Sequence, residues 1–116
     1  MGSQQSTQMD ESIKIFVDTT INKYKVAVFS KSYCPYCRRA KEIITGYPLK
    51  PGVLEVVEIE KRPDCSQIQA YLKSLTGAST VPRIFVNGAF VGGCDDLTKI
   101  HETGEFEQML KECSAI

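Results

Sequence analysis

Two strand signals with a helix signal between them constrain this fold more than any other feature. Residues 25–30, KVAVFS, form a β-branched and aromatic run that reads as a buried strand. Cys34-Pro35 then opens a helix, with proline in the first turn, where a missing N–H costs nothing. Ala40, Ile43 and Ile44 fall on its core-facing side. Gly46, Pro48, Pro51 and Gly52 punctuate a loop, and residues 53–59 read as a second strand. A strand-helix-strand start demands a parallel pair with a right-handed crossover.

The remaining elements fit around this unit. Residues 1–9 are polar and read as a disordered tail. Their opening, Met1-Gly2-Ser3-Gln4-Gln5-Ser6, also matches a loose acylation pattern, but a tail or a non-native remnant is the plainer reading. Asp10 caps a helix carrying Ile13, Phe16, Val17, Ile21 and Tyr24 at helical spacing. Pro63-Asp64 starts a third helix, with Gln67 in a capping-box position and Ile68, Tyr71, Leu72 and Leu75 as its buried stripe. Gly77 ends it. Residues 83–86 and 89–91 flank Asn87-Gly88, a strong hairpin signal. Leu97, Ile100, Phe106, Met109, Leu110 and Cys113 belong to one or two closing helices broken near Gly104. The order is α-β-α-β-α-β-β-α, an α/β domain over residues 10–116 with no internal repeat.

Composition removes several function classes. The formal net charge of zero gives no broad field for nucleic acid or membranes. No apolar run approaches the roughly 18 residues of a membrane span. The N-terminus carries no apolar signal core, so a reducing, cytoplasmic compartment is expected. Five cysteines, an odd count, do not make a closed disulfide framework.

Cys34 and Cys37 carry the chemistry. The pair follows a strand and lies across a helix N-terminus, where unpaired N–H groups and the macrodipole favour negative charge. A thiol there ionises below its usual range, and the thiolate is the attacking species in disulfide exchange. Lys31, Arg38 and Arg39 are close in sequence and add positive charge. Cys34, at the cap, is expected to be exposed and nucleophilic. Cys37, nearly one turn on, is expected to be more buried and to resolve. Zinc is the main rival, but it needs further ligands at suitable spacing, and Cys65, Cys94 and His101 stand alone. A structural disulfide does not suit a reducing compartment.

Three segments carry a family resemblance: Lys31-Ser-Tyr-Cys-Pro-Tyr-Cys37, Thr80-Val-Pro-Arg-Ile-Phe-Val-Asn-Gly88 and Gly92-Gly-Cys-Asp-Asp-Leu97. Together they resemble the signature segments of dithiol glutaredoxins, from about residue 13 to residue 113. The resemblance implies a thioredoxin fold, a central four-stranded mixed sheet flanked by about five helices. It implies a glutathione-dependent thiol–disulfide oxidoreductase, with glutathione or a related small thiol as co-substrate and no other cofactor. Disulfide-containing or glutathionylated proteins would be its substrates, and the chain would act as a monomer.

By the same resemblance, Lys31 and Tyr36 would contact glutathione beside Cys34, and Gln69 would help hold its glycine carboxylate. Val81, between Thr80 and a cis Pro82, would pair backbone to backbone with the glutathione cysteine. Asp95 and Asp96, with the backbone near Cys94, would hold the γ-glutamyl end. Helix N–H groups there suit a carboxylate and the side-chain carboxylates suit an ammonium. Ser79 departs from the basic residue that many members place before Thr-Val-Pro, so one charge contact would be missing.

Two further readings stay open beside this one. Some relatives hold a [2Fe–2S] cluster between two chains and two glutathiones; Pro35 argues against that here. A non-catalytic redox-sensing adaptor would use residues 80–82 as a binding edge. Thioredoxin itself is disfavoured, since there is no Trp and the centre is C-P-Y-C. Cys113 reads as a buried inert thiol and Cys65 as passive. Cys94 reads as a binding-segment residue open to oxidation, and His101 as a surface residue.

Overall fold

The computed structural model describes the backbone of residues 2–116 and side chains from residue 11 onward. Its elements are α1 (Gly2–Lys23), β1 (Val26–Ser30), α2 (Pro35–Thr45), β2 (Leu54–Glu58) and α3 (Cys65–Thr76). They continue with β3 (Arg83–Val86), β4 (Ala89–Gly92), α4 (Cys94–Thr103) and α5 (Glu105–Glu112). The order matches the sequence reading, with the last segment divided in two. Gly104 makes that division, since its φ of 84° lies in the left-handed region that favours glycine. α1 begins at Gly2, upstream of the Asp10 expected as its cap. The expected disordered tail at residues 1–9 and its acylation pattern lie outside the residues whose side chains are described.

The strands form one sheet in the order β2-β1-β3-β4. β1 runs parallel to β2, from Val26↔Leu54 to Ser30↔Glu58, and antiparallel to β3. Asn87 (φ 51°) and Gly88 (φ 83°) turn β3 into β4, both left-handed, as an Asn-Gly hairpin requires.

Side chains alternate across β1 and build a core on each face of the sheet. Val26 and Val28 join Ile84 and Val86 of β3 against Ala40 and Ile44 of α2, Leu97 of α4, and Phe106 and Leu110 of α5. Ala27 and Phe29 face the other way, against Ile13, Val17 and Ile21 of α1 and Ile68 and Leu72 of α3. The layers are therefore α1 and α3, the sheet, then α2, α4 and α5. Tyr71 Oη ties α3 to α1 by donating to the Asp18 carboxylate at 2.8 Å. Burial and that carboxylate push its phenol up to about 12.

Two helix expectations are corrected. Asp64 makes no side-chain capping bond at α3. Its carboxylate instead accepts from the Arg62 guanidinium at 2.8 and 3.0 Å, a bidentate, charge-assisted pair that outcompetes a single backbone N–H. Leu75 is 45% exposed rather than part of the buried stripe, which stops at Leu72. Phe106→Ala is expected to lower stability by about 3–5 kcal/mol. Leu75→Ala is expected to cost under about 1 kcal/mol, near the range of surface substitutions. Urea unfolding of both variants checks the difference.

Candidate active site

The end of β1 and the start of α2 place the two thiols. Cys34 N–H donates to Lys31 O at 3.0 Å, closing a turn that brings the chain from Ser30 into α2. Cys34 is the N-cap in extended geometry (φ −83°, ψ 122°), Pro35 follows it in the first turn, and Arg38 N–H donates to Cys34 O at 3.0 Å. Cys34 is half-buried, whereas Cys37, on the same stripe as Ala40 and Ile44, is fully buried. Both are free thiols. Lys31 N–H donates to Cys37 Sγ at 3.4 Å.

The same helix end acts oppositely on the two sulfurs. Burial alone pushes the Cys34 thiol up, but the Cys37 N–H, the Cys37 thiol, the Tyr36 N–H and the Lys31 charge together hold it below its ordinary value. No cap hydrogen bond is made to Cys34 Sγ as it stands, so these first-turn N–H groups act on the thiolate rather than on the neutral thiol. Cys37 is raised: burial outweighs the Lys31 N–H and the Ser30 hydroxyl, and the Cys34 sulfur opposes a second negative charge. Cys34 is therefore the thiol that ionises and attacks.

A cavity of about 380 Å³ opens beside the pair, lined by Tyr36, Thr80, Val81, Pro82, Arg83, Gly93, Cys94, Asp95 and Asp96. The bond between Val81 and Pro82 is cis, as the resemblance implies. Asp96 Oδ2 accepts from Gly93 N–H at 3.1 Å, so this carboxylate caps α4 from inside the cavity wall. Gly92 makes that possible. Its φ is 137°, and a Cβ there would lie 2.3 Å from Asp96 Oδ2.

The structure brings together seven of the nine side chains expected around glutathione and leaves two apart. Lys31 does not line the cavity, and its charge acts on the Cys34 sulfur. Gln69 does not line the cavity. Its Nε2 donates to Ser79 O at 2.9 Å, and its Oε1 accepts from Cys65 Sγ at 3.6 Å. Gly93 and Arg83 line the cavity but were not expected there. Arg83 donates to Thr76 Oγ1 at 3.2 Å and Thr80 Oγ1 at 3.3 Å, lies over the Phe90 ring, and makes no ion pair among the described residues. Its place inside the Thr-Val-Pro-Arg segment was the available signal.

The other candidates are dispersed. Cys65 opens α3, Cys94 is buried at the start of α4, and Cys113 is half-buried against Leu110 O. His101 is exposed and its Nδ1 meets Tyr47 Oη at 2.6 Å. Among the described residues, no three metal-ligating side chains converge. A further cavity of about 320 Å³, between α1 and α3, is lined by residues such as Ile13, Gln67 and Tyr71 and lies away from the thiols.

Comparison with known proteins places this geometry. The family model described as Glutaredoxin matches residues 26–91. The chain belongs to the glutaredoxin family. It is 46% identical over 101 residues to Glutaredoxin-1 of Bos taurus, covering 87% of this chain and 95% of that protein. Oxidized glutaredoxin 2 from Chlamydomonas reinhardtii superposes with a TM-score of 0.85 at 36% identity, over 92% of this chain and 98% of its own. A buckwheat glutaredoxin–glutathione complex superposes with a TM-score of 0.87 at 33% identity, over 94% and 96%.

The four-stranded sheet and five helices are therefore a thioredoxin fold, and the chain is a glutaredoxin-type thiol–disulfide oxidoreductase. Three outcomes follow from the site geometry of this glutaredoxin. Iodoacetamide is expected to modify Cys34 before Cys37, with a half-maximal pH below the ordinary thiol range, as peptide mapping of quenched samples would report. Lys31→Ala should move that midpoint upward, since it removes a charge that favours the thiolate. Gly92→Ala should displace the Asp96 carboxylate from Gly93 N–H and lower thermal stability by about 1–3 kcal/mol.

Proposed function

We propose that this glutaredoxin uses glutathione as its reductant and binds it in the cavity beside Cys34. A thiol held below its ordinary value, two residues before the Tyr36 that lines a cleft, carries the reading. The cleft pairs an exposed aromatic face, Tyr36, with carboxylates at a helix start, Asp95 and Asp96. Val81 would align the tripeptide, with Thr80 and Pro82 on either side of it. The Asp95 side chain would take the γ-glutamyl ammonium, and the α4 N-terminus near Cys94 its carboxylate. Gln69 Nε2 carries two hydrogens, one used on Ser79 O, so the second would meet the glycine carboxylate only where the tripeptide reaches past the cavity toward α3. Arg83 supplies a cation in the cavity wall where Ser79 supplies none. The buckwheat relative, described as a glutathione complex, supports the choice of ligand.

Two routes share Cys34. With a glutathionylated protein, the Cys34 thiolate attacks the glutathione sulfur and the protein thiolate leaves and takes up a proton. A second glutathione thiolate then attacks the new mixed disulfide, giving oxidised glutathione and restoring the Cys34 thiolate. With a protein disulfide, Cys34 attacks first. Cys37 then loses its proton and attacks Cys34 Sγ, expelling the second substrate thiolate. Neither route needs a metal or an organic cofactor. The reading extends to a cytoplasmic monomer acting on proteins of both kinds.

Glutathione-coupled reduction of a glutathionylated protein tests it. Cys34→Ser should abolish turnover and Cys37→Ser should keep a substantial part; equal and complete loss in both would sink the single-thiol route. Ser79→Arg should lower the KM for glutathione several-fold with kcat little changed. An unchanged KM would remove the charge argument.

A further inference from the structure

Ser30 is the one polar side chain of β1, and it is fully buried. Alternation along the strand puts it on the face of Val26 and Val28, where α2 packs. The α2 residues on that face are Cys37, Ala40 and Ile44, and Ser30 is the last strand residue before the turn that leads to them. Lys31 N–H already donates to Cys37 Sγ at 3.4 Å, so the chain at this point lies against that sulfur. Ser30 Oγ finds no hydrogen-bond partner among the described residues. A buried hydroxyl left without a partner is costly and calls for a reason.

Resting on the thiol-exchange reading above, we propose that Ser30 is a positioning residue for the resolving thiol, its hydroxyl turning onto Cys37 Sγ whenever that sulfur carries negative charge. A neutral thiol is a poor acceptor and leaves the hydroxyl idle; a thiolate is a strong one. Ser30 is among the groups that favour the Cys37 thiolate, although it is not in bonding geometry with the neutral thiol. Lys31 N–H is the first donor to Cys37 Sγ and the Ser30 hydroxyl would be the second; the remaining groups around that sulfur supply no further donor. Cys34 opposes its charge, α4 turns Cys94 and Leu97 inward, and Lys41 of α2 is paired with Glu58 of β2 at 2.6 Å.

The donor would serve both directions of exchange. In resolution, Cys37 gives its proton to solvent and attacks Cys34 Sγ. The Cys34–Cys37 bond forms as the substrate–Cys34 bond breaks, and the substrate leaves as a thiolate. In reduction, a glutathione thiolate attacks Cys34 Sγ and Cys37 leaves as the thiolate. Ser30 keeps its proton in both, so no further oxidant or reductant is needed.

The experiment loads Cys34 of the full chain with thionitrobenzoate and follows release of the chromophore as Cys37 attacks, across the pH range in which thiols ionise. Ser30→Ala should slow release about tenfold at neutral pH and move its midpoint to higher pH. Ser30→Thr, which keeps the hydroxyl, should stay close to the wild type. Thermal melting confirms that each variant is folded. An unchanged profile in folded Ser30→Ala overturns the proposal. An equal shift in Ser30→Thr also overturns it, because packing rather than the donor would then be responsible. No release from the wild type at any pH would mean that the exchange reading itself fails, and this one with it.

Discussion

Burial of β1 on both faces is the constraint on which the rest of the structure depends. All five of its residues are buried, and among the described residues it is the only strand hydrogen-bonded to a parallel neighbour on one side and an antiparallel one on the other. A strand held in that way cannot shift by one residue without moving Val26 and Val28 into the α1–α3 layer. Its last residue therefore has a fixed place and face. The turn from Lys31 to Cys34 and the start of α2 inherit that place, which is how a hydrophobic register comes to position a reactive sulfur.

The second wall of the site depends on the same strand. β3 pairs with β1 from Val26↔Val86 to Phe29↔Arg83, so the residues just before β3 emerge at the end of β1 where the thiols lie. Thr80, Val81 and Pro82 reach the cavity through this register and not through sequence proximity to Cys34. The hairpin at Asn87-Gly88 then returns β4 to Gly92, and α4 starts beside β3 with Asp96 folded back onto Gly93 N–H. Gly92 matters because the capping carboxylate occupies the space that any side chain would need.

How much of this could be read from sequence follows the strength of the local signal. β-Branched runs bounded by turn residues marked each strand within about a residue of its ends, the spacing of Cys34 and Cys37 marked the paired thiols, and Asn87-Gly88 marked the hairpin. Most of the cavity wall came from the three family segments. Leu75 and Asp64 went wrong for different reasons. A helical stripe does not say where along the helix burial stops, and Arg62 competes for Asp64 through a pair no capping pattern includes. Arg83 stood inside a quoted segment without a role, because a strand start does not say which wall a guanidinium joins; here it donates to Thr76 and Thr80 in the cavity wall. Ser30 was taken as one letter of an apolar run. Only its face, its burial and its missing partner distinguish it.

The two cysteines differ because a helix N-terminus is polar in a directional way. At the cap, a sulfur looks at N–H groups that nothing else claims, and negative charge is welcome. Three residues on, the helix has turned that side chain into the core, where water is excluded and negative charge is costly. Ionising Cys37 before Cys34 would place charge in the drier of the two sites while leaving the first-turn N–H groups unused. The spacing of two intervening residues thus does more than let a disulfide close. It assigns attack to the sulfur that ionises readily and withholds the second until the first has been consumed in a mixed disulfide, at which point Cys34 no longer opposes the charge on Cys37.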